Sequence, residues 1–236
     1  MKRRFSKTGT GPKIAQRSTY RPPFAFLLSI PAGVCKRAVD IAIAIDASGS
    51  VGRWGYREEQ TFIRKMVQSY GISQSGTHVA IIQYSSKATV EIPLTRYYTY
   101  SRFVNALGRL PYTGGMTRID LALKLAAEKV FVPSGGSRSN VPKIMILMTD
   151  GHQTEIPNES IPLDKAVLAL RRKDVQVYAL AIGPHTKEEE LRLIVKKKDS
   201  IFKSSTFSGL LNVVNDVVRK SCTEGEYRPE PLYLLP

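Results

Sequence analysis

Only two cysteines occur in the 236 residues, Cys35 and Cys222, which excludes a disulfide-dense scaffold and a cysteine-rich zinc site. No apolar run reaches the ~18 residues that a membrane-spanning helix requires. Gly-x-Gly-x-x-Gly and P-loop patterns are absent, which removes the phosphate-cradling fingerprints of dinucleotide and nucleoside-triphosphate enzymes. There is no Gly-x-Ser-x-Gly elbow, and the three histidines, His78, His152 and His185, lie scattered without triad or ligand spacing. A metal-assisted hydrolase would need a general base beside its ligands, and none stands out. The sequence reads as a non-enzyme.

Acid is missing from one stretch in particular. The first 37 residues hold nine Lys or Arg and no Asp or Glu, and they contribute +9 of the net +15. Residues 38–222 contribute +8 and the remainder −2. The leading segment, 1–34, is rich in Gly, Pro, Ser and Thr, a composition that favours a solvated arm or a processing segment. Its Phe24–Val34 stretch has the order of a secretory signal, with basic residues, a short apolar core and then small residues; a plain linker is the alternative. Without aromatic interleaving or a nucleic-acid motif, the basic arm argues against nucleic acid as the partner. The tail 223–236, with its Pro and Glu, reads as a linker.

Between these ends lies one domain, 35–222, with enough apolar content (42% of the chain) for a proper core. Apolar runs alternate with helical periodicities, the mark of a parallel sheet covered on both faces. Strands are expected at 39–45, 77–85, 88–92, 143–149, 175–182 and 200–203. Helices are expected at 56–70, 100–110, about 119–130, 161–173, 187–197 and 207–220. Pro93 and the tight turn before Ala88 make 88–92 an antiparallel edge strand. The expected fold is α/β, a doubly wound, mostly parallel six-stranded sheet with one antiparallel edge strand.

Cys35 and Cys222 bracket this domain. A bridge between them would close nearly the whole domain into one loop, worth roughly 5 kcal/mol in the chain-entropy model; two unrelated thiols are the alternative. Domain termini commonly lie close together, so we expect the bridge and, with it, an oxidising compartment. Asn158-Glu159-Ser160 offers one glycosylation acceptor at Asn158.

Asp46-Ala47-Ser48-Gly49-Ser50 directly follows the first apolar strand, delivering a carboxylate and two hydroxyls to its end. Asp-x-Ser-x-Ser alone is a weak signal, arising by chance in roughly one chain of this length in fifteen to twenty. Context strengthens it. Thr117 ends a glycine turn and Asp150 ends the run Lys143–Thr149, so all five oxygen-bearing residues fall beyond the carboxyl ends of strands, where open α/β sheets bind ligands. Few carboxylates with several hydroxyls suit a hard cation that keeps positions open.

Asp46-Ala47-Ser48-Gly49-Ser50-Val51, Thr113-Gly114-Gly115-Met116-Thr117 and Met148-Thr149-Asp150-Gly151, in that order on a β-α-β background, closely resemble the von Willebrand factor type A domain. The likeness is greatest to the branch found in matrilins and collagens, and extends to the integrin inserted domain. It implies a Rossmann-like fold and a metal-ion-dependent adhesion site formed by Asp46, Ser48, Ser50, Thr117 and Asp150. Mg²⁺ or Mn²⁺ would be the cofactor, with a partner's Glu or Asp completing the shell. The resemblance implies an extracellular adhesion or matrix module whose partners are collagen or another matrix protein. The basic surface is also compatible with sulfated glycans. An intracellular scaffold or RNA-associated module of the same fold, using the basic arm, is the alternative.

Overall fold

Residue alternation in the first strand decides how the layers form. In β1 (Asp40–Asp46) every residue is buried, so both faces of the strand must be covered. Ile41, Ile43 and Ile45 point to one face and Ala42 and Ala44 to the other, because successive side chains on a strand alternate. The isoleucine face packs against α1 (Gly52–Tyr70) and α7 (Leu210–Ser221) through Phe62, Ile63, Met66, Val214 and Val217. The alanine face admits α3 (Ile119–Leu125), whose own Ala122 and the following Ala126 let it approach closely.

The computed structural model describes Cys35 and residues 37–222. The leading segment, with its signal-like stretch, and the tail 223–236 lie outside the described residues. The sheet also holds β2 (His78–Tyr84), β3 (Ala88–Ile92), β4 (Lys143–Thr149), β5 (Val175–Ile182) and β6 (Ile201–Ser204). Their order is β3-β2-β1-β4-β5-β6. All neighbours pair in parallel except β3, which runs antiparallel to β2. The remaining helices are α2 (Tyr100–Leu107), α4 (Leu163–Ala166), α5 (Leu168–Arg172) and α6 (Glu188–Ile194). The doubly wound six-stranded sheet with one antiparallel edge strand is thus the fold. Among the described residues no helix is long and apolar enough to cross a membrane.

Several helix boundaries differ from expectation. α1 begins a turn early, because its first residues, Arg53 and Trp54, face solvent and carry no apolar period. Val130 closes a π-helical turn, Ala126–Val130, which buries both Val130 and Phe131. The segment 161–173 forms two short helices that meet at Val167, which itself keeps helical dihedrals. α7 starts at Leu210 rather than Phe207, whose ring instead lies over Gly55 of α1, where an added Cβ would meet it at 2.8 Å.

Cys35 and Cys222 are bridged, with their Cα atoms 5.9 Å apart across a sequence separation of 187. The neighbourhood is stitched further: the Cys35 N–H bonds the Ser69 carbonyl at the end of α1 (2.7 Å), and the Tyr178 hydroxyl bonds the Lys220 carbonyl (3.1 Å). A hydrogen bond also joins the Tyr70 and Ser221 hydroxyls.

Candidate metal centre

Parallel strands end together, so β1 and β4 deliver Asp46 and Asp150 to the same rim of the sheet. Asp46 is fully buried. Its Oδ1 accepts the Ser48 N–H (2.9 Å), folding the chain back so that Ser48 and Ser50 sit beside it. Its Oδ2 accepts from the Tyr84 and Thr149 hydroxyls, each at 3.1 Å. Ser48 Oγ and Ser50 Oγ are 3.2 Å apart, and Ser50 Oγ donates to Asp150 Oδ1 at 2.7 Å. Thr117 joins them across Gly151: a Cβ built on that glycine would lie 3.7 Å from Thr117 Oγ1 and 3.8 Å from Ser50 Oγ. All five residues singled out in the sequence thus come together on three loops.

The third loop is held by glycines and by hydrogen bonds to both others. Gly115 has φ of 102°, which side-chain-bearing residues rarely adopt, and its carbonyl accepts the Gly49 N–H at 2.8 Å. Tyr112 donates its hydroxyl to the Ser48 carbonyl at 2.9 Å. Thr117 is locked to the loop after β4, giving its N–H to Thr154 Oγ1 (3.1 Å) while its carbonyl accepts the Thr154 N–H (2.8 Å). Next to it the Arg118 guanidinium is committed to buried Asp120 by paired bonds of 2.9 and 2.8 Å, so that cation does not serve Asp46. Burial acts to raise the Asp120 carboxyl, but Arg118, the Ile161 N–H and Gln153 outweigh it and hold the group below its ordinary value.

Electrostatically the rim is under tension. Burial pushes the Asp46 carboxyl up to about 6, against the hydrogen bonds of Ser48, and the charge of Asp150 adds to the rise. Asp150 is raised as well, chiefly by burial. Behind them Glu59 of α1 is completely buried, accepts the Asp46 N–H on Oε2 (3.1 Å), and is pushed well above the usual carboxyl range by burial and then by Asp46. A divalent cation among the hydroxyls would offset that crowding, and hard oxygen donors on every side are the chemistry it would need. Among the described residues no group of three or more His, Cys, Asp or Glu side chains is arranged to hold a metal, so the hydroxyls are indispensable to such a site.

Sequence reasoning missed the supporting residues Glu59, Tyr84, Tyr112, Thr149 and Thr154. One signal was available: Glu59 interrupts the apolar stripe that continues through Phe62, Ile63 and Met66. His152 and His185 are exposed, whereas His78 is buried, its ring tilted against Tyr98 with centroids 4.9 Å apart and Nε2 3.0 Å from the Gln74 carbonyl. Asn158 is exposed in a turn with φ of 64°.

The chain is similar over 79% of its length to a newt collagen alpha-1(XII) chain (Notophthalmus viridescens, 31% identical) and over 83% to vitrin from Bos taurus (32% identical). It spans 20% and 29% of those relatives. A cuticlin-6 from Caenorhabditis elegans is 29% identical over 83% of the chain, which covers 33% of it. By name one is a collagen chain and one a cuticlin. Among solved structures, proximal thread matrix protein 1 from the mussel byssus superposes with a TM-score of 0.76 at 26% identity, over 81% of this chain and 50% of that one. Another structure of the same mussel protein, at 25% identity, a TM-score of 0.76 and the same coverage, is described with a zinc-occupied MIDAS motif. The von Willebrand factor type A domain model matches residues 40–216, and the chain belongs to that family.

Proposed function

We propose that this chain is an extracellular adhesion or matrix module that grips an acidic group of a protein partner through a divalent cation, Mg²⁺ or Mn²⁺. The supporting observation is the convergence of Asp46, Ser48, Ser50, Thr117 and Asp150, with two carboxyls raised by burial beside three hydroxyls. These five residues would hold the cation. When bound, it would supply a Lewis-acidic centre attractive to an outside carboxylate. Two carboxylates balance a divalent charge and the hydroxyls add none, so attraction for an acid from outside persists. Tyr84, Thr149 and Glu59 fix Asp46, and Tyr112 fixes the Ser48 backbone, which keeps the donors in place.

An extracellular setting is supported by the Cys35–Cys222 bridge and by the collagen and cuticlin relatives, and both weigh against an intracellular scaffold. Collagen or another matrix protein exposing Glu or Asp is the partner class that fits. No catalytic role is assigned.

Calorimetric titration of the metal-free full chain with MgCl₂ and MnCl₂ should show uptake at one site. A collagen-type triple-helical peptide bearing Glu should then bind in Mg²⁺, and neither in EDTA nor after Glu is replaced by Gln. Equal affinity with and without the cation would overturn the reading.

A further inference from the structure

The opposite pole of the sheet carries a different chemistry. β1, β4 and β5 run parallel and begin level with one another, Asp40 beside Lys143 and Lys143 beside Val175, so their starts form a row at one end; β6 begins further along, opposite Ala179, but the segment before it reaches back to that row, where Lys196 meets Asp174. With neighbouring strands ~4.8 Å apart, that row is about 10 Å long. Basic residues gather around it. Arg37 precedes β1, Lys143 opens β4, Arg171-Arg172-Lys173 leads into β5, and Lys196-Lys197-Lys198 leads into β6. α7 returns to the same end and brings Lys220.

Contacts hold these segments together. Arg171 Nη2 donates to the Leu193 carbonyl at 2.6 Å, and Lys196 Nζ meets Asp174 at 3.3 Å, which places the two basic triplets side by side. Lys220 pairs with Asp199. A groove of about 600 Å³ runs between Arg37, Lys143, Asn140, Gln176, Tyr178 and Lys220. Of the acids here, Asp40 at the start of β1 is buried and paired with Arg138 at 2.7 Å, and Asp174 and Asp199 are exposed and each matched to a lysine, while Arg172, Lys197 and Lys198 are exposed.

We infer that this pole is a binding surface for a sulfated polysaccharide, independent of the cation site. A row of surface cations suits a flexible polyanion whose charges repeat along its length. Base stacking has little to work with here: Tyr178 is buried, with its hydroxyl tied to the Lys220 carbonyl. The extracellular setting proposed above favours a glycan over a nucleic acid.

The test uses the full chain in EDTA with heparin as the probe, at 0.15 M NaCl. The quadruple variant Arg172→Gln, Lys173→Gln, Lys197→Gln, Lys198→Gln should bind about ten-fold more weakly or worse, with unchanged circular dichroism and Tm. Asp46→Ala should bind heparin like the parent, which separates this surface from the cation site. A charge-matched control on α1 and α2, Arg57→Gln, Arg64→Gln, Lys65→Gln, Arg102→Gln, should lose less than about two-fold. Equal losses in the two quadruple variants would overturn the inference, as would no loss in the first, which would assign binding to the basic arm. Desulfated heparin binding as tightly, or single-stranded RNA binding more tightly at the same salt, would overturn it too.

Discussion

The two ends of the sheet are built on opposite principles. At the upper rim, two carboxyls raised chiefly by burial lie among hydroxyls with Glu59 behind, so negative charge there is opposed by burial and by its neighbours. At the lower end the chain closes on itself through Cys35–Cys222, hydrogen bonds tie α1, β5 and α7 together, and the exposed charge is positive. The comparison teaches that one sheet can carry a crowded cluster of raised carboxyls at one end and a covalently closed, basic surface at the other.

The largest expected effect comes from emptying the upper rim. Asp150→Ala should abolish Mg²⁺ uptake by calorimetry, a loss of at least about 100-fold, while circular dichroism in EDTA stays that of the parent. Retained uptake would remove Asp150 from the site. Opening the lower end with Cys35→Ser and Cys222→Ser should cost about 2–5 kcal/mol in urea unfolding. Mg²⁺ affinity of the folded fraction should hold within about two-fold; a parallel collapse of affinity would show that the poles are not separable.

A third test isolates the tension at the rim. Asp46 loses its proton near 3.8 when unfolded but at about 6 in the folded, metal-free protein. Between those values the folded state holds the extra proton, so metal-free stability should fall as pH rises through that window, by about 2–3 kcal/mol from Asp46 alone. Saturating Mg²⁺ should flatten the decline. Thermal unfolding across pH 4–7 in EDTA and in MgCl₂ measures both, and a metal-free stability that rises through the window would reverse the sign. The smallest effect sharpens the lower pole: Asp174→Asn removes an exposed acid from the basic row and should tighten heparin binding about two-fold.

Strands were more legible than helices, and the reason is burial. β3, β4 and β5 fall where expected because a strand bounded by turns declares both its ends in an apolar run. Helix ends are decided by packing elsewhere: α1 gains a solvent-facing first turn, and α7 loses Phe207 to a contact with Gly55. At the rim, the five oxygen-bearing residues stand out as short motifs beside strands. Their supports do not, because Tyr84 reaches Asp46 only through the pairing of β2 with β1, and Thr154 reaches Thr117 only when two loops 37 residues apart meet. Register between distant segments is not written in either segment alone.

The bridge also decides how the domain answers a pull. Chain enters at Cys35 and leaves at Cys222, whose Cα atoms are 5.9 Å apart, so tension along a fibre would travel through one covalent link. The six strands and seven α-helices among the described residues stay outside the line of force. Pulling on the two ends would therefore leave the rim of Asp46, Ser48, Ser50, Thr117 and Asp150 unloaded for as long as the bridge holds.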